Sequence, residues 1–275
     1  MPVQSLFVVD AFTGEGLLGN PAGVCPLDSW PAGVVMQTLA KQLALSETAY
    51  FAPDGAAGYL LRWFTPDTEV DLCGHATLAS AAVFFREIDP GASKVRFSTQ
   101  TAGDLAVTRS GDLLELDFPA RPAKAGLVAD LGAALGAQPV ETLTIPGRTS
   151  VAVFADERTV RGLRPDMARV AVLDGQLVIA TAPGDASDFV SRCFAPRAGI
   201  PEDPVTGSAH TTLVPYWSRR LGKGKLHAVQ ASERGGELFC TDRGDRVGIA
   251  GRAVIRQSGR VDLESATPQA ELAPV

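Results

Sequence analysis

Two stretches of the sequence repeat each other in order, with three more residues before the glycine in the second copy. Arg, Phe and Pro recur 130 residues apart, and then Gly and Ala recur 133 residues apart, at the position pairs 62/192, 64/194, 66/196, 74/207 and 76/209. Each copy has the pattern of a strand, a loop that contains proline, and a glycine turn that opens a helix. The repeat therefore predicts a duplicated fold, with one helix at about residues 75–85 and its counterpart at about 208–221.

The remaining apolar patterns extend this duplication to most of the chain. Short runs rich in β-branched and aromatic residues predict strands on both sides of each glycine turn. Helical periodicity is confined to a few further segments, at about 34–45 and 127–135, and the glycine-rich segment 14–23 predicts a loop. These elements predict an α+β fold of two pseudo-symmetric lobes, each a sheet wrapped around one central helix.

The domain boundaries follow from the same reading. A chain of 275 residues is long enough for two domains of ordinary size. We predict an N-terminal lobe of residues 1–122, a C-terminal lobe of residues 123–245, and a crossover in the segment 120–125, which is rich in Pro and Ala. The last residues, 266–275, have little apolar surface to bury, which predicts a loose tail.

Charge and composition argue against several classes of function. The formal net charge is −6 and no run of basic residues stands out, which argues against nucleic-acid binding. The longest apolar stretch, 76–85, is too short to span a bilayer, and the N-terminus lacks the pattern of a signal peptide. The four Cys and three His lack the spacing of metal ligands, so we expect no metal. A cytoplasmic protein with reduced thiols is the expectation.

The two glycine turns are candidate anion sites. A helix begins with free N–H groups and the positive end of its dipole, and Gly74 and Gly207 would allow a ligand to approach this backbone closely. A single turn of this kind is more often an ordinary helix cap. Two turns in register within a duplicated chain favour a site for a small anionic metabolite, with a carboxylate or phosphate on the helix starts.

Four polar residues near these turns are candidates for chemistry. His75 lies in the first turn of its predicted helix, where the dipole should lower its pKa. Asp203 precedes a proline, and is either a site residue or part of an Asx turn. Ser208 is either a ligand contact or the cap of its own helix. Glu47 lies between a helix and an apolar strand, so it is either a desolvated base with a raised pKa or a side chain turned to solvent.

Several familiar motifs are absent or broken. Gly14, Gly16 and Gly19 fit the dinucleotide-binding pattern G-x-G-x-x-G after a strand. However, Asn20 and Pro21 follow at once and block the helix that this fingerprint requires. The sequence contains neither a P-loop nor a G-x-S-x-G nucleophile elbow. We therefore predict no nucleotide cofactor.

Four segments together closely resemble the motifs of the PhzF (phenazine-biosynthesis-like) family; they are residues 19–24, 46–51, 72–79 and 202–210. They occur in the family's order and cover the chain from about residue 5 to 255. The resemblance implies a diaminopimelate-epimerase-like fold with the site between two lobes, usually in a homodimer. It also implies that the strand at about 246–263 completes the first lobe.

The resemblance further implies a cofactor-independent isomerase. The characterised phenazine enzyme moves a proton within a dihydro-hydroxyanthranilate, and its base corresponds here to Glu47. His75 and Asp203 are the other residues expected to take part in proton transfer. The resemblance and the helix starts together give the expected contacts to the substrate and its carboxylate, which are Asn20, Gly74, Gly207 and Ser208.

Three other functions remain open at this point. A two-thiol epimerase could use Cys73, but no second Cys occurs among residues 202–210. A serine hydrolase could combine Ser208, His75 and Asp203, although the strained elbow of that class is missing. A protein with this fold could also bind a ligand without catalysis, as a scaffold or interaction protein, and the presence of Glu47 argues against that.

Overall fold

The computed structural model describes residues 3–55, 58–263 and 269–275. The chain forms two compact units. The first contains Met1–Thr13, Asn20–Asp117 and Ala250–Val275, and the second contains Gly14–Gly19 and Phe118–Ile249. The boundary therefore lies between Asp117 and Phe118 rather than at 122/123, and the assignment of Gly14–Gly19 to the second unit was not predicted.

The first unit combines a mixed sheet with α-helices. Its elements are β1 (Gln4–Thr13), β2 (Asn20–Pro26), α1 (Gly33–Leu43), β3 (Glu47–Pro53), β4 (Tyr59–Phe64), β5 (Glu69–Val70), α2 (Gly74–Val83) with a following π-helical turn (Phe84–Ile88), β6 (Lys94–Ser98), β7 (Leu105–Ser110) and β8 (Leu113–Pro119).

The second unit has the same kinds of element. They are β9 (Lys124–Ala125), α3 (Leu131–Leu135), β10 (Glu141–Ile145), β11 (Thr149–Val153), α4 (Glu157–Gly162), α5 (Met167–Val172), β12 (Leu177–Pro183), β13 (Phe189–Ala195), a 3₁₀ turn (Pro196–Ala198), β14 (Ile200–Asp203), α6 (Gly207–Leu221), β15 (Lys225–Gln230) and β16 (Gly236–Asp242). The long strand β17 (Arg246–Asp262) then leads from the second unit into the first, where β18 (Gln269–Pro274) follows.

The order of strand pairings is the same within each unit. In the first unit, the pairs β2–β3 and β4–β6 are parallel. The pairs β3–β4, β4–β5 and β6–β7 are antiparallel. In the second, β11 to β16 repeat this order, from the parallel pair β11–β12 to the antiparallel pair β15–β16. Such mixed pairing with a few helices is the α+β class that the sequence predicts.

The helix that follows each glycine turn is buried on most of its faces. In α2, the buried residues are mostly Ala, Ser, Thr and other small side chains, and the helix packs against β1, β2 and β3. In α6, most of the residues from Gly207 to Trp217 are buried. A helix without a polar face belongs inside a unit rather than on its surface, because only there can all its sides be covered.

The repeated Arg and Phe make the same contacts in both units. Arg62 donates from Nε and Nη2 to the two carboxylate oxygens of Glu69, at 2.7 and 2.8 Å. Arg192 donates in the same way to Glu202, also at 2.7 and 2.8 Å. Each guanidinium also lies 5.2 Å from the ring centroid of the Phe two residues later. The sequence repeat thus records a packing unit, in which a planar cation bridges an aromatic ring and a carboxylate.

The C-terminus differs from the prediction of a loose tail. Residues Gln269–Pro274 form β18, which pairs antiparallel with Gln257–Asp262 of β17. The prediction is therefore wrong for 269–274, whereas residues 266–268 lie outside the described part of the chain. A strand at an available sheet edge gains backbone hydrogen bonds without needing an apolar side-chain pattern, and this kind of stabilisation leaves no mark in composition.

Two other predicted segments are also corrected. Residues Asn20–Pro26 form β2 between β1 and β3, although the sequence indicated a loop through residue 23. Of the predicted helix 127–135, only Leu131–Leu135 is helical. In the first case, two flanking strands supply a ladder that overrides the low strand propensity of Gly and Pro.

Gly175 and Gly147 form a matched pair that separates backbone strain from steric clash. Both have positive φ, at 97° and 67°, but a Cβ on Gly175 would lie 2.9 Å from backbone atoms of Arg148 and Thr149, whereas Gly147 has open space. We expect Gly147→Ala to cost about 1 kcal/mol from left-handed strain, and Gly175→Ala about 3 kcal/mol because of the added backbone clash. Urea unfolding of the two variants measures the difference, and equal losses would contradict it.

Among the described residues, no helix is both long enough and apolar enough to cross a bilayer.

Candidate active site

Strand order brings three predicted site residues of the first unit together. Asn20 and Glu47 are the first residues of β2 and β3, which run in parallel with Ala22 opposite Glu47. The two side chains therefore start from the same end of the strand pair. Helix α2 packs against these strands, and His75 is its second residue.

The His75 ring lies between Glu47 and Asn20. Its Nε2 is 3.1 Å from Oε2 of Glu47, and its Nδ1 is 3.3 Å from Nδ2 of Asn20. Ser46 donates to Oδ1 of Asn20 at 3.1 Å, which directs the amide N–H₂ toward the ring. In the neutral imidazole, Nδ1 accepts from this amide and the ring proton lies on Nε2; in the imidazolium both nitrogens carry a proton, and a rotated Asn20 amide presents its oxygen to Nδ1 instead.

Cys73 completes a compact group of ionisable side chains. It is the N-cap of α2 in an extended conformation, with φ −140° and ψ 109°, and its side chain makes no cap hydrogen bond. Its Sγ lies 3.4 Å from Nδ1 and 4.0 Å from Nε2 of His75. The ligand-type atoms of Glu47, Cys73 and His75 all lie within 4.8 Å of one another. We call these three side chains the Glu–Cys–His cluster.

The charges in this cluster follow from its burial and its contacts. Burial alone would lower the pKa of His75, but the neighbouring Cys73 and Glu47 raise it well above its ordinary value. Burial alone would raise the pKa of Glu47, but the charge of His75 outweighs burial and lowers it. Burial raises the pKa of Cys73 to about 11. At neutral pH the thiol is therefore uncharged, and a carboxylate faces an imidazolium.

Both of the pKa directions expected from sequence are thus wrong. The helix start was expected to lower the pKa of His75, and desolvation was expected to raise that of Glu47 if the side chain was buried. The side chain of Glu47 is 12% exposed, so of the two alternatives for this residue the buried side chain is correct and the solvent-facing one is wrong. However, an opposite charge at 3.1 Å outweighs both the dipole and the desolvation.

One carboxylate oxygen of Glu47 is buried and accepts no hydrogen bond within the described part of the chain. This oxygen, Oε2 of Glu47, lies 3.1 Å from Nε2 of His75, a distance at which the two groups form an ion pair. An ionised, buried oxygen of this kind can accept a proton without first giving up a hydrogen bond.

The other predicted residues lie at the start of α6 in the second unit. Thr206 is the N-cap and, like Cys73, makes no side-chain cap bond to its helix. Its hydroxyl donates instead to Oδ2 of Asp203 at 2.6 Å. Gly207 is buried at the first helical position, and Ser208 is exposed at the second. Ser208 is therefore not the cap of its helix, so that alternative is wrong.

Gln230 is a positioning residue that the sequence analysis missed. Its Oε1 accepts from the backbone N–H of Thr206 at 2.8 Å, and its Nε2 donates to the Asp203 carbonyl at 2.7 Å. The side chain is fully buried. The alternation of β15 gave a signal, because Leu226, Ala228 and Gln230 share the inward face, and an amide at such a position must find buried partners.

The structure thus groups the predicted residues within each unit. Asn20, Glu47, Gly74 and His75 meet at the start of α2, together with Cys73. The start of α6 groups three others, namely Asp203, Gly207 and Ser208. Both helices begin after an extended N-cap whose side chain leaves the first N–H groups uncapped, so both can bind an anion through backbone N–H.

Titration of the histidines tests the ion pair. We expect the midpoint of His75 to lie above 6.5, because Glu47 stabilises the imidazolium, and that of the buried His210 to fall to about 4, because burial lowers it. Two-dimensional ¹H–¹⁵N NMR of the imidazole nitrogens measures both, with the third histidine assigned through His227→Gln. A midpoint for His75 below 6.5 would contradict the pair.

Comparison with known proteins agrees with these motifs. The model of the phenazine biosynthesis-like protein family matches residues 9–259. An uncharacterized isomerase from Pseudomonas aeruginosa is 48% identical over 256 residues, which cover 93% of this chain and 97% of that protein. The crystal structure of a PhzF family protein from Enterococcus faecalis is 42% identical with a TM-score of 0.89, and the match covers 94% of this chain and 99% of that one.

A more distant structure shares the fold alone. It is a protein from Pseudomonas aeruginosa described as a predicted epimerase, with 18% identity and a TM-score of 0.70 over 93% of this chain and 98% of that one. The extent of the family match and the identity to the relatives above carry more weight. They show that the chain belongs to the phenazine biosynthesis-like (PhzC-PhzF) family.

Proposed function

We propose that this isomerase shifts a proton within a small carboxylate-bearing metabolite, without a cofactor, and that Glu47 is its base. The observation that carries the proposal is the buried Oε2 of Glu47, which has no hydrogen-bond partner among the described residues and lies 3.1 Å from the His75 ring. A base needs a free lone pair and a stable ionised form, and the ion pair with His75 supplies the second of these.

The uncapped helix starts supply the binding energy for the substrate carboxylate. N–H groups of Gly74 and His75 at α2, and those of Gly207 and Ser208 at α6, are suited to carboxylate oxygens. Asn20 is a further expected contact, and its amide also holds His75 in place. A small acid gains both hydrogen bonds and dipole stabilisation there.

The proposed reaction is a proton shift through a delocalised anion. Glu47 removes a proton from a carbon that is activated by the conjugated system of the substrate, and the electron pair of that C–H bond moves into the conjugated system. The imidazolium of His75 stabilises the negative charge that develops. Glu47 or His75 then returns a proton to another carbon. A cyclic diene acid resembling a dihydroanthranilate has the acidity that this sequence requires.

The alternatives receive less support. In a two-thiol racemase both helix starts would offer a thiol, but the repeat places Thr206 where the first copy has Cys73, and the Cys73 thiol is neutral at pH 7. In a serine hydrolase His75 would activate Ser208 and Asp203 would orient His75. Instead, the two ring nitrogens of His75 face Glu47 and Asn20, and Asp203 accepts from the hydroxyl of Thr206. A ligand-binding protein without catalysis would not exchange the carbon-bound protons of its ligand with solvent.

Deuterium exchange tests the proposal directly. The protein is incubated in D₂O with a panel of small carboxylic acids, chosen to include cyclic diene acids and amino acids, and incorporation at carbon is followed by NMR. We expect incorporation into a conjugated acid, together with the shifted double bond. Exchange at the α-carbon of an amino acid with loss of optical purity would favour the racemase, and no exchange into any acid would favour simple binding.

A further inference from the structure

We propose that the Glu–Cys–His cluster is also a binding site for Zn²⁺, and that bound Zn²⁺ blocks Glu47, the proposed base. The three donors are a carboxylate oxygen, a thiol sulfur and an imidazole nitrogen, and all lie within 4.8 Å of one another. Magnesium and calcium prefer oxygen ligands only, whereas this mixed set of oxygen, sulfur and nitrogen suits Zn²⁺.

The distances in the cluster are close to those of a tetrahedral site. Zn²⁺ binds sulfur at about 2.3 Å and nitrogen or oxygen at about 2.0–2.2 Å, so neighbouring ligand atoms lie about 3.3–3.6 Å apart. Around Nε2 of His75, the observed separations are 4.0 Å to Sγ of Cys73 and 3.1 Å to Oε2 of Glu47. Adjustments of less than about half an ångström in these side chains therefore complete the two edges of the tetrahedron that meet at Nε2, and the third pair, Sγ and Oε2, lies within 4.8 Å.

A second observation also points to a ligand. Oε2 of Glu47 is buried, directed at the cluster, and without a hydrogen-bond partner among the described residues. Asn20 contacts the opposite nitrogen of His75 and can hold the ring while Nε2 binds metal, because a rotation of its amide presents oxygen instead of N–H₂ to Nδ1. The site thus has an unoccupied acceptor and an outer support for the ring.

The charge balance limits the affinity but permits binding. Coordination releases two protons to solvent, one from the thiol of Cys73 and one from the imidazolium of His75. The ligand set then carries two negative charges, from thiolate and carboxylate, against the two positive charges of the ion. The positive end of the α2 dipole opposes a cation at this place. Three protein ligands also leave the fourth position to water, as in catalytic zinc sites.

Binding is measured by calorimetric titration of Zn²⁺ into the full chain after chelator treatment. We expect one ion per chain, a loss of affinity of about 100-fold or more in Cys73→Ser, and about 10-fold or more in Glu47→Gln. Cys25→Ala is the matched control, since Cys25 is a buried thiol of the same unit that is not in the cluster, and its affinity should equal that of the wild type.

Ultraviolet absorption of bound Cd²⁺ provides a second measurement of binding that is independent of calorimetry. Cd²⁺ bound to a thiolate has a charge-transfer absorption in the ultraviolet, and we expect this band in the wild type and in Cys25→Ala but not in Cys73→Ser. Circular dichroism checks that each variant is folded. If Cys73→Ser is not folded, Glu47→Gln is the variant that tests binding at the cluster. The inference is overturned if the wild type does not bind one ion saturably, or if the variants of the cluster bind as well as the control.

The inhibitory part of the inference rests on the proposed function, whereas binding does not. Stoichiometric Zn²⁺ should stop deuterium exchange in the wild type, and chelator should restore it. If Zn²⁺ binds the cluster and exchange continues, Glu47 is not the base and the proposed function fails while the metal site stands. If exchange depends on Glu47 but no metal binds, the metal site fails while the proposed function stands.

Discussion

Replacement of Glu47 with glutamine is expected to reduce proton exchange into the substrate by about 10²–10⁴-fold, which is the usual contribution of a general base. Glutamine has nearly the same shape and can still contact His75, so the cluster should keep its geometry. It has no basic oxygen for a C–H proton. The rate of deuterium incorporation at saturating substrate measures the effect, and KM should change much less than kcat.

A second pair of His and Glu provides the control for this substitution. Nε2 of His227 lies 2.9 Å from Oε1 of Glu237, in the second unit and outside the Glu–Cys–His cluster. Glu237→Gln removes the same charge from the same kind of pair, and we expect exchange at the wild-type rate. Wild-type exchange in Glu47→Gln, or an equal loss in both variants, would show that the proposed base is wrong.

Replacement of Arg192 with glutamine is expected to cost about 2–3 kcal/mol of unfolding free energy, because it removes charge-assisted hydrogen bonds from a half-buried carboxylate and from two backbone carbonyls. The Arg192 side chain is only 11% exposed, and it binds Glu202 through two hydrogen bonds. It also donates to the carbonyls of Val160 and Leu163 at the end of α4, at 3.3 and 3.0 Å. One side chain therefore donates to four acceptors, of which the Val160 carbonyl also accepts from the N–H of Leu163.

The repeat itself provides the matched comparison for Arg192. Arg62 makes the same two bonds to Glu69, but the side chains are 18% and 37% exposed, so water can replace part of what is lost. We expect Arg62→Gln to cost about 1 kcal/mol. Denaturant unfolding of both variants measures the difference. Equal costs would show that burial and the contacts to α4 do not matter, and that the two copies are energetically equivalent.

The duplication could be predicted because its signals are local. Arg and Phe two residues apart allow the guanidinium to lie beside the ring, and each of the two helices begins at a Gly. Both features are short motifs that appear twice, the Arg–Phe pair 130 residues apart and the Gly 133 residues apart. The buried helices α2 and α6 follow from the apolar runs after each Gly.

Helices α4 and α5 escaped prediction because they are too short to show periodicity. Each has six residues, less than two full turns. Their starts do carry a readable signal, since Asp156 accepts from the N–H of Thr159 and Asp166 accepts from the N–H of Ala168 and Arg169. An Asp before a short apolar run is a typical N-cap, and that signal is present for α5, whereas α4 contains a single apolar residue, Val160, so Asp156 has no such run after it.

The members of the cluster could be named from sequence, but their charges could not. Glu47 and His75 are 28 residues apart, and the ring is oriented by Asn20, which lies further still along the chain. Each residue was assessed by its own surroundings, which gave burial for one and a helix dipole for the other. Only the contact at 3.1 Å reverses both pKa directions, and no local pattern encodes a contact between a strand and a helix.

The burial of the thiols has a practical consequence for experiments with dyes. All four cysteines are free and buried. Burial raises the pKa of Cys25 and Cys193, and that of Cys73 to about 11, so very little reactive thiolate exists at pH 7. A single cysteine introduced at an exposed position such as Leu127, which is 91% exposed, would therefore react with a maleimide fluorophore while the native thiols stay in place. The natural chain is in this sense ready for fluorescence measurements without removal of any cysteine.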